Sequence, residues 1–277
     1  MPPSPAFKHR FKASAVNLAL VSAVAAVLAC PAPAFAQQPS GKDEPEGASW
    51  GLGLAGISAQ TAYKGMDRET RALPMISYEN RYVRLDGPNL ELKLPGIELS
   101  ESQRLNFGVV AKLFDGAGYE AGDSPALAGM AERKSSVWLG AKVEWENDLA
   151  GITLEWLGDA SSNSKGQRLA LGLERKLMLS PSLMLIPQVG VEWLDRKYVD
   201  YYYGVRDSEV TAGRAAYTGK AAVNPEISLT GIYRFDRHHS MMLNVGVTFL
   251  GKEIKDSPIV DRSTENRVML GYQYSFR

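Results

Sequence analysis

The sequence predicts an all-β fold, a transmembrane antiparallel up-and-down β-barrel of twelve strands, with ten as the alternative count. Three observations predict it. The first 36 residues read as an export signal, no later run of 18 apolar residues offers a transmembrane helix, and period-two alternation recurs over stretches of about ten residues.

The signal occupies residues 1–36. Lys8, Arg10 and Lys12 precede the uncharged run ASAVNLALVSAVAAVLA, and Ala34-Phe35-Ala36 supplies a small-x-small site with cleavage after Ala36. Cys30, the sole cysteine, raises the alternative of a lipidated cysteine, although Leu28 fits the small-residue position before it poorly. Ordinary cleavage leaves a mature chain without cysteine, hence without disulfides. It also removes three of the 31 basic residues and none of the 31 acidic ones, leaving 28 against 31. With no basic tract, nucleic acid is excluded as a partner. Residues 37–48, QQPSGKDEPEGA, read as a flexible periplasmic leader, and the barrel spans 49–277.

The strands follow in order. Residues 50–63 form the first. PMISYENRYVRLDG is two strands turning at Glu79-Asn80, because an even total requires it and Asn tolerates positive φ. In 90–99 the apolar positions jump from even (Leu90, Leu92, Leu94) to odd (Ile97, Leu99), which places a bulge at Pro95-Gly96. The stretches 104–114 and 152–158 alternate, as does VWLGAKVEWE (137–146), where Val137, Leu139, Ala141, Val143 and Trp145 share one face. RLALGLERKL (168–177) is broken only by Arg175. Segments 183–193, 226–235, 241–249 and 267–276 complete the set.

A soluble sandwich also alternates. Strand length, aromatics near strand ends, and polar faces rich in Gly and charge favour a barrel with a wet lumen. Turns such as ENDLAG, LSPS and FDRHHS are short and periplasmic, whereas the connections near 115–135, 198–220 and 251–264 are long and extracellular. Tyr201, Tyr202 and Tyr203 in VDYYYGV then sit at the top of an ascending strand as an aromatic interface anchor, with Gly204 releasing the chain into its loop. Gly271, Tyr274 and Phe276 fit the Gly-x-x-aromatic-x-aromatic pattern of a closing strand, a barrel-assembly signal, here followed by Arg277.

Four segments carry a family resemblance: AYKGMDRETRALPMISYENRYVRLDG (62–87), AGDSPALAGMAERKSSVWLGAKVEW (121–145), DYYYGVRDSEVTAGRAAY (200–217) and KDSPIVDRS (255–263), followed by the YQYSF strand. In this order they resemble the MltA-interacting protein (MipA)/OmpV family of outer-membrane proteins. The resemblance implies a scaffold that brings a lytic transglycosylase together with a penicillin-binding synthase, and for other members a surface antigen or adhesin. It supplies no catalytic or contact residues.

The residues themselves offer no catalytic constellation, no metal site and no cofactor site. The mature chain holds only His238 and His239, adjacent in one turn, and they read as polar turn residues. Asp123, Asp256 and Asp261 precede or follow turn-forming Ser-Pro pairs and read as loop structure rather than ion ligands. Arg133, Lys134 and Arg262 read as solvated loop charge. Inward candidates Lys142, Glu144, Arg168, Glu174, Lys176 and Glu192 mix signs and can pair across a narrow or plugged lumen. Two functions follow: a non-enzymatic scaffold in contact with outer-membrane lipid and murein enzymes, or an adhesin or narrow channel using the long loops.

Overall fold

The computed structural model describes residues 47–115 and 118–276. The signal peptide, Cys30 and most of the leader lie outside them. Alternating apolar residues build thirteen strand segments: β1 (Ser49–Gln60), β2 (Glu69–Glu79), β3 (Val83–Asp86), β4 (Asn89–Ser100), β5 (Gln103–Asp115), β6 (Ser136–Glu146), β7 (Gly151–Asp159), β8 (Gln167–Glu174), β9 (Leu177–Ser180), β10 (Leu183–Leu194), β11 (Ala222–Arg234), β12 (His239–Phe249) and β13 (Thr264–Phe276). Both β8 and β9 pair with β10, so they are one wall strand interrupted at Arg175 and Lys176. All neighbours are antiparallel, β13 pairs with β1, and β10 pairs with β11. The wall is therefore a closed barrel of twelve strands, as lipid requires of a spanning sheet.

Alternation sets what each face touches. On β8, Arg168, Ala170 and Glu174 are buried while Leu169, Leu171 and Leu173 are exposed to the surroundings of the barrel. Outward aromatics ring the apolar band at both ends. Trp156, Trp193 and Phe249 stand toward the extracellular ends of their strands, and Trp50, Tyr233, Phe235, Tyr272 and Phe276 toward the periplasmic ends. No helix among the described residues is long and apolar enough to cross a membrane.

The Glu79-Asn80 turn joins β2 to β3, but not through positive φ. Among described non-glycine residues that conformation occurs only at Ser162 and Lys165. Asn80 instead folds the chain with its side chain, Oδ1 accepting from the N–H groups of Tyr82 (2.8 Å) and Val83 (2.7 Å). The bulge in β4 is where its apolar register places it, between the Leu94–Phe107 and Ile97–Leu105 pairs. The strand expected to run up through VDYYYGV ends early. β10 stops at Leu194, and Arg196–Tyr203 form helix α1, which lies in the longest extracellular loop. A second short helix, α2 (Lys252–Lys255), lies in the last one.

Candidate functional site

The two ends of the barrel are built differently. At the extracellular end, the long loops fold onto one another. Asp195 caps α1, its carboxylate accepting from the Tyr198 N–H (2.8 Å). Helical spacing then puts Tyr198 with Tyr202, and Val199 with Tyr203, on a face that is buried. Against it pack Tyr63 and Met66 from the first loop, Tyr119, Leu127 and Met130 from the third, and Ile254, Ile259 and Val260 from the last. The rings interlock: Tyr63 stacks on Tyr203 (centroids 5.4 Å) and meets Tyr119 edge-on (4.8 Å).

Polar groups tie this cap shut. Arg133, 2% exposed, donates to both Glu209 oxygens (2.9 and 3.0 Å), to Tyr201 O (2.7 Å) and to Ala131 O (2.8 Å). Arg214 collects the carbonyls of Glu209, Ala126 and Ala128. The Tyr202 hydroxyl meets Ser136 Oγ (3.0 Å) and Lys134 O (3.1 Å), and Tyr63 donates to Tyr202 O (3.1 Å). Burial pulls Glu209 upward, yet the bonds from Arg133 and from the N–H groups of Arg206 and Ala131 outweigh it and hold its pKa below the usual carboxylate range. Burial pushes the Tyr119 hydroxyl up to about 12 despite the opposing Arg133 charge, so the phenol stays neutral.

Beneath the cap lies a layer of paired charge. Lys112 on β5 reaches Glu155 on β7 (2.6 Å), Lys142 on β6 reaches Glu91 on β4 (2.7 Å), and Arg168 on β8 reaches Glu192 on β10 (2.6 Å). Arg168 also lies over the rings of Trp138 (5.2 Å) and Tyr198 (5.8 Å), joining this layer to the cap. Buried charges persist only when paired and hydrogen-bonded, as these are.

The periplasmic half holds a cavity of about 1450 Å³. Its walls carry Glu79, Arg84, Glu91, Lys93, Glu146 and Lys176, and its rim is formed by the turns at 101–102, 147–150, 181–182 and 235–238. No residue of the long loops lines it. The ion pairs here are wetter: Lys93–Glu79 (2.6 Å) and Lys176–Glu146 (3.3 Å) have side chains 21–25% exposed. The arrangement is a charged vestibule open toward the periplasm, with the ion-pair layer and the packed tyrosines above it.

The structure redistributes the sequence-predicted sites. Tyr202 and Tyr203 are buried inside the cap and Tyr201 packs against it, its hydroxyl accepting from the Lys134 N–H (2.9 Å). They are therefore not a lipid-interface anchor, because the capped helix turns them toward protein. Gly204 ends α1: a Cβ there would lie 2.2 Å from Asp200 O. Arg133, read as solvated, is the buried hub of the loops. The inward residues Lys142, Glu144, Arg168, Glu174, Lys176 and Glu192 do face the lumen and pair there, Glu174 accepting from Gln188 (2.9 Å). Gly271 faces inward, while Phe276 faces out and Tyr274 packs edge-on against it (4.8 Å). His238 and His239 both lie against Tyr274. Asp123 and Asp261 accept backbone N–H groups of Glu120 and Gly65. The cap went unread in the sequence, although Asp195 and the i, i+4 tyrosine spacing signal its helix.

Comparison with known proteins places this architecture. The family profile described as MltA-interacting protein MipA matches residues 52–276. The outer membrane protein YiaT of Escherichia coli K12 is 29% identical over 238 residues, covering 81% of this chain and 90% of that protein. OmpV of Vibrio cholerae is 23% identical over 227 residues, with coverages of 82% and 86%. The MltA-interacting protein of E. coli K12 is 27% identical over 146 residues, 52% of this chain and 58% of that one. Among solved structures, the NanC porin is similar over 80% of this chain and 98% of its own, at 10% identity and a TM-score of 0.44.

Proposed function

The chain belongs to the MipA family and is an outer-membrane β-barrel, and from that premise we propose that it is a non-enzymatic scaffold for murein-processing enzymes on the periplasmic side of that membrane. The observation that supports this reading is a large cavity at the periplasmic end beneath loops that pack on one another. The cavity is lined by periplasmic turns and the lower halves of strands, and by none of the extracellular loops. A barrel built for passage needs an opening at each end; one built for periplasmic docking needs only the lower.

A vestibule also eases a difficulty of the scaffold role. A standard interface covers about 800 Å² per partner, more than a rim of two- to four-residue turns offers. A recessed, mixed-charge wall lets a partner insert a segment and bury area inside the barrel, with salt bridges exchanged for pairs such as Lys93–Glu79. The name of the E. coli relative, MltA-interacting protein, supports a lytic transglycosylase as one partner. A penicillin-binding synthase as the second extends the proposal to coupled cleavage and synthesis of the wall.

The test is direct capture. Detergent-purified mature protein is immobilised and offered, separately, the lytic transglycosylase and the bifunctional penicillin-binding protein of the same organism. We expect retention of both at micromolar concentration or below. Retention of neither removes the scaffold reading, and retention of the transglycosylase alone reduces it to a membrane anchor for that enzyme.

A further inference from the structure

The barrel wall is incomplete in its extracellular half. β3 has four residues where its neighbours have eleven or twelve. It pairs with β2 only from Ser77 to Glu79, then turns at Gly87 (φ 53°) and Pro88 into β4. The Gly87 N–H donates to Ile76 O (3.0 Å) and the Leu113 N–H to Pro88 O (3.1 Å), which marks the apex of this hairpin. Above it, among the described residues, no strand lies between Glu69–Met75 of β2 and Leu113–Asp115 of β5. On the β5 side three residues lie above the last pair with β4, a rise of about 10 Å along the strand, so the gap is a window rather than a bulge.

Its depth is fixed by the neighbouring rows. On the outer face Ser58 lies between Val268 and Thr70, and Arg68 bonds to both Ser58 and Asn266, a polar cluster suited to lipid headgroups. Leu270, Gly56 and Ala72 form the next row down, followed by Pro74 and Ile76, both outward. The window thus opens below the headgroup row, where lipid offers no partner for free backbone groups. Because Ile76 O turns toward the hairpin, the gap-facing residues are Ala72 and Pro74, alternating with those that bond to β1. Proline at that edge has no N–H to give, which blocks a strand from a second copy or a partner.

The lumen behind the window departs from the polar-inside rule. On the far wall, inward positions on β7, β8 and β10 are Thr153, Glu174 and Gln188. Glu69 and Arg71 pair at the top of β2, and Lys112 faces inward from β5. Below them the inward positions running from β2 across β1 and β13 to β12 are Leu73, Met75, Ile57, Met269 and Met242, each partly exposed, with Asn244 beside Met269. The patch is continuous, Ile57 lying opposite Met269 and Gly271 opposite Met242. A Cβ on Gly271 would sit 2.9 Å from Met75 Sδ and 3.8 Å from Met242 Cε, so the thioethers lie over this glycine. Unbranched, polarisable methionines adapt to flexible apolar ligands.

We propose that the window between β2 and β5 admits an acyl chain of an outer-leaflet lipid, which lies along this methionine-lined inner face. The chain completes the wall that β3 leaves open, and water from the lumen or the lipid's own polar ester groups satisfies the edge of β2. This site is independent of the periplasmic vestibule and of any scaffold partner.

The test uses the mature protein in phosphatidylcholine vesicles doped with phosphatidylcholine that carries a diazirine in mid-chain. After photolysis, labelled residues are mapped by mass spectrometry. Inward Leu73 and Met75 are expected to carry at least about tenfold more label than inward Thr153 and Gln188 on the far wall, with outward Leu229 and Leu270 labelled as controls for contact with lipid. Labelling of Leu73 and Met75 at the level of Thr153 and Gln188 overturns the proposal. The double variant M75Q/M269Q makes the face polar without touching the outer wall. It is expected to lower label at Leu73 about fivefold and leave Leu270 unchanged, with heat-modifiable gel mobility reporting that the barrel is folded. Unchanged label at Leu73 in the folded variant overturns the inner-face assignment.

Discussion

The extracellular cap and the periplasmic vestibule are made by the same strands, yet they follow opposite physical rules. The cap behaves as a small protein core: tyrosines and aliphatic residues are dry, and its charges, Arg133 and Glu209, are paired out of water. The vestibule behaves as a surface folded inward, with its ion pairs partly wet and its cavity open below. The difference originates in loop length, since connections of fourteen residues or more at 250–263 and 195–221 can fold on themselves whereas two-residue turns cannot. Long loops can therefore pack over one end of a barrel without a plug domain.

The most severe break of this contrast is Arg133→Met. It leaves the Glu209 carboxylate buried without its partner, and removing one member of a buried pair costs about 3–5 kcal/mol. Amide hydrogen exchange in 118–135 and 200–217 is expected to accelerate while that of the β-strands stays slow. Planar-bilayer conductance should rise as the cap loosens. Unchanged exchange in both loops would mean that tyrosine packing alone holds the cap.

Acid applies a milder form of the same break. The folded pKa of Glu209 lies below its unfolded value, so its stabilisation is fully present above the ordinary carboxylate pKa of about 4.3 and is lost as pH falls through the folded value. Pepsin is therefore expected to cut within 118–135 or 196–220 at pH 2.5 and to spare both loops at pH 5. Glu209→Gln, which cannot ionise, should be cut at both. Resistance of the native cap at pH 2.5 would assign its stability to the rings.

Much of the wall was legible because a strand in lipid has few alternatives. Parity demanded the Asn80 turn, the even-to-odd shift of leucines demanded the bulge at Pro95, and inward Lys142, Glu144 and Arg168 had to pair. The loops obeyed no such constraint. VDYYYGV follows a strand and looks like its continuation, but Asp195 caps a helix there, and a tertiary core among distant loops then selects the buried face. That core joins Tyr63 to Tyr202 and Arg133 to Glu209 across 139 and 76 residues, separations that no local pattern encodes. The window was hidden for a related reason: the reading of PMISYENRYVRLDG as two strands was correct, yet strand count says nothing of strand height, and four residues of β3 satisfy parity as well as eleven would.

The gentlest perturbation sharpens the comparison from the other side. Lys93→Met removes a vestibule charge whose Nζ lies 2.6 Å from Glu79 Oε1, and Glu79 keeps Arg84 as a second partner at 2.7 Å. Both Lys93 and Glu79 have side chains 21% exposed, so water takes up most of what the lysine supplied. Pairs of this kind contribute about 0–1 kcal/mol. The urea midpoint of the detergent-solubilised barrel is expected to match wild type to within that margin, with hydrogen exchange in the cap unaltered. A loss as large as that of Arg133→Met would show that the vestibule's pairs are structural in the same sense as the cap's. If stability holds while capture of the transglycosylase weakens, the wall is free to exchange its internal pairs for a partner's, which is what a docking vestibule requires and a sealed core forbids.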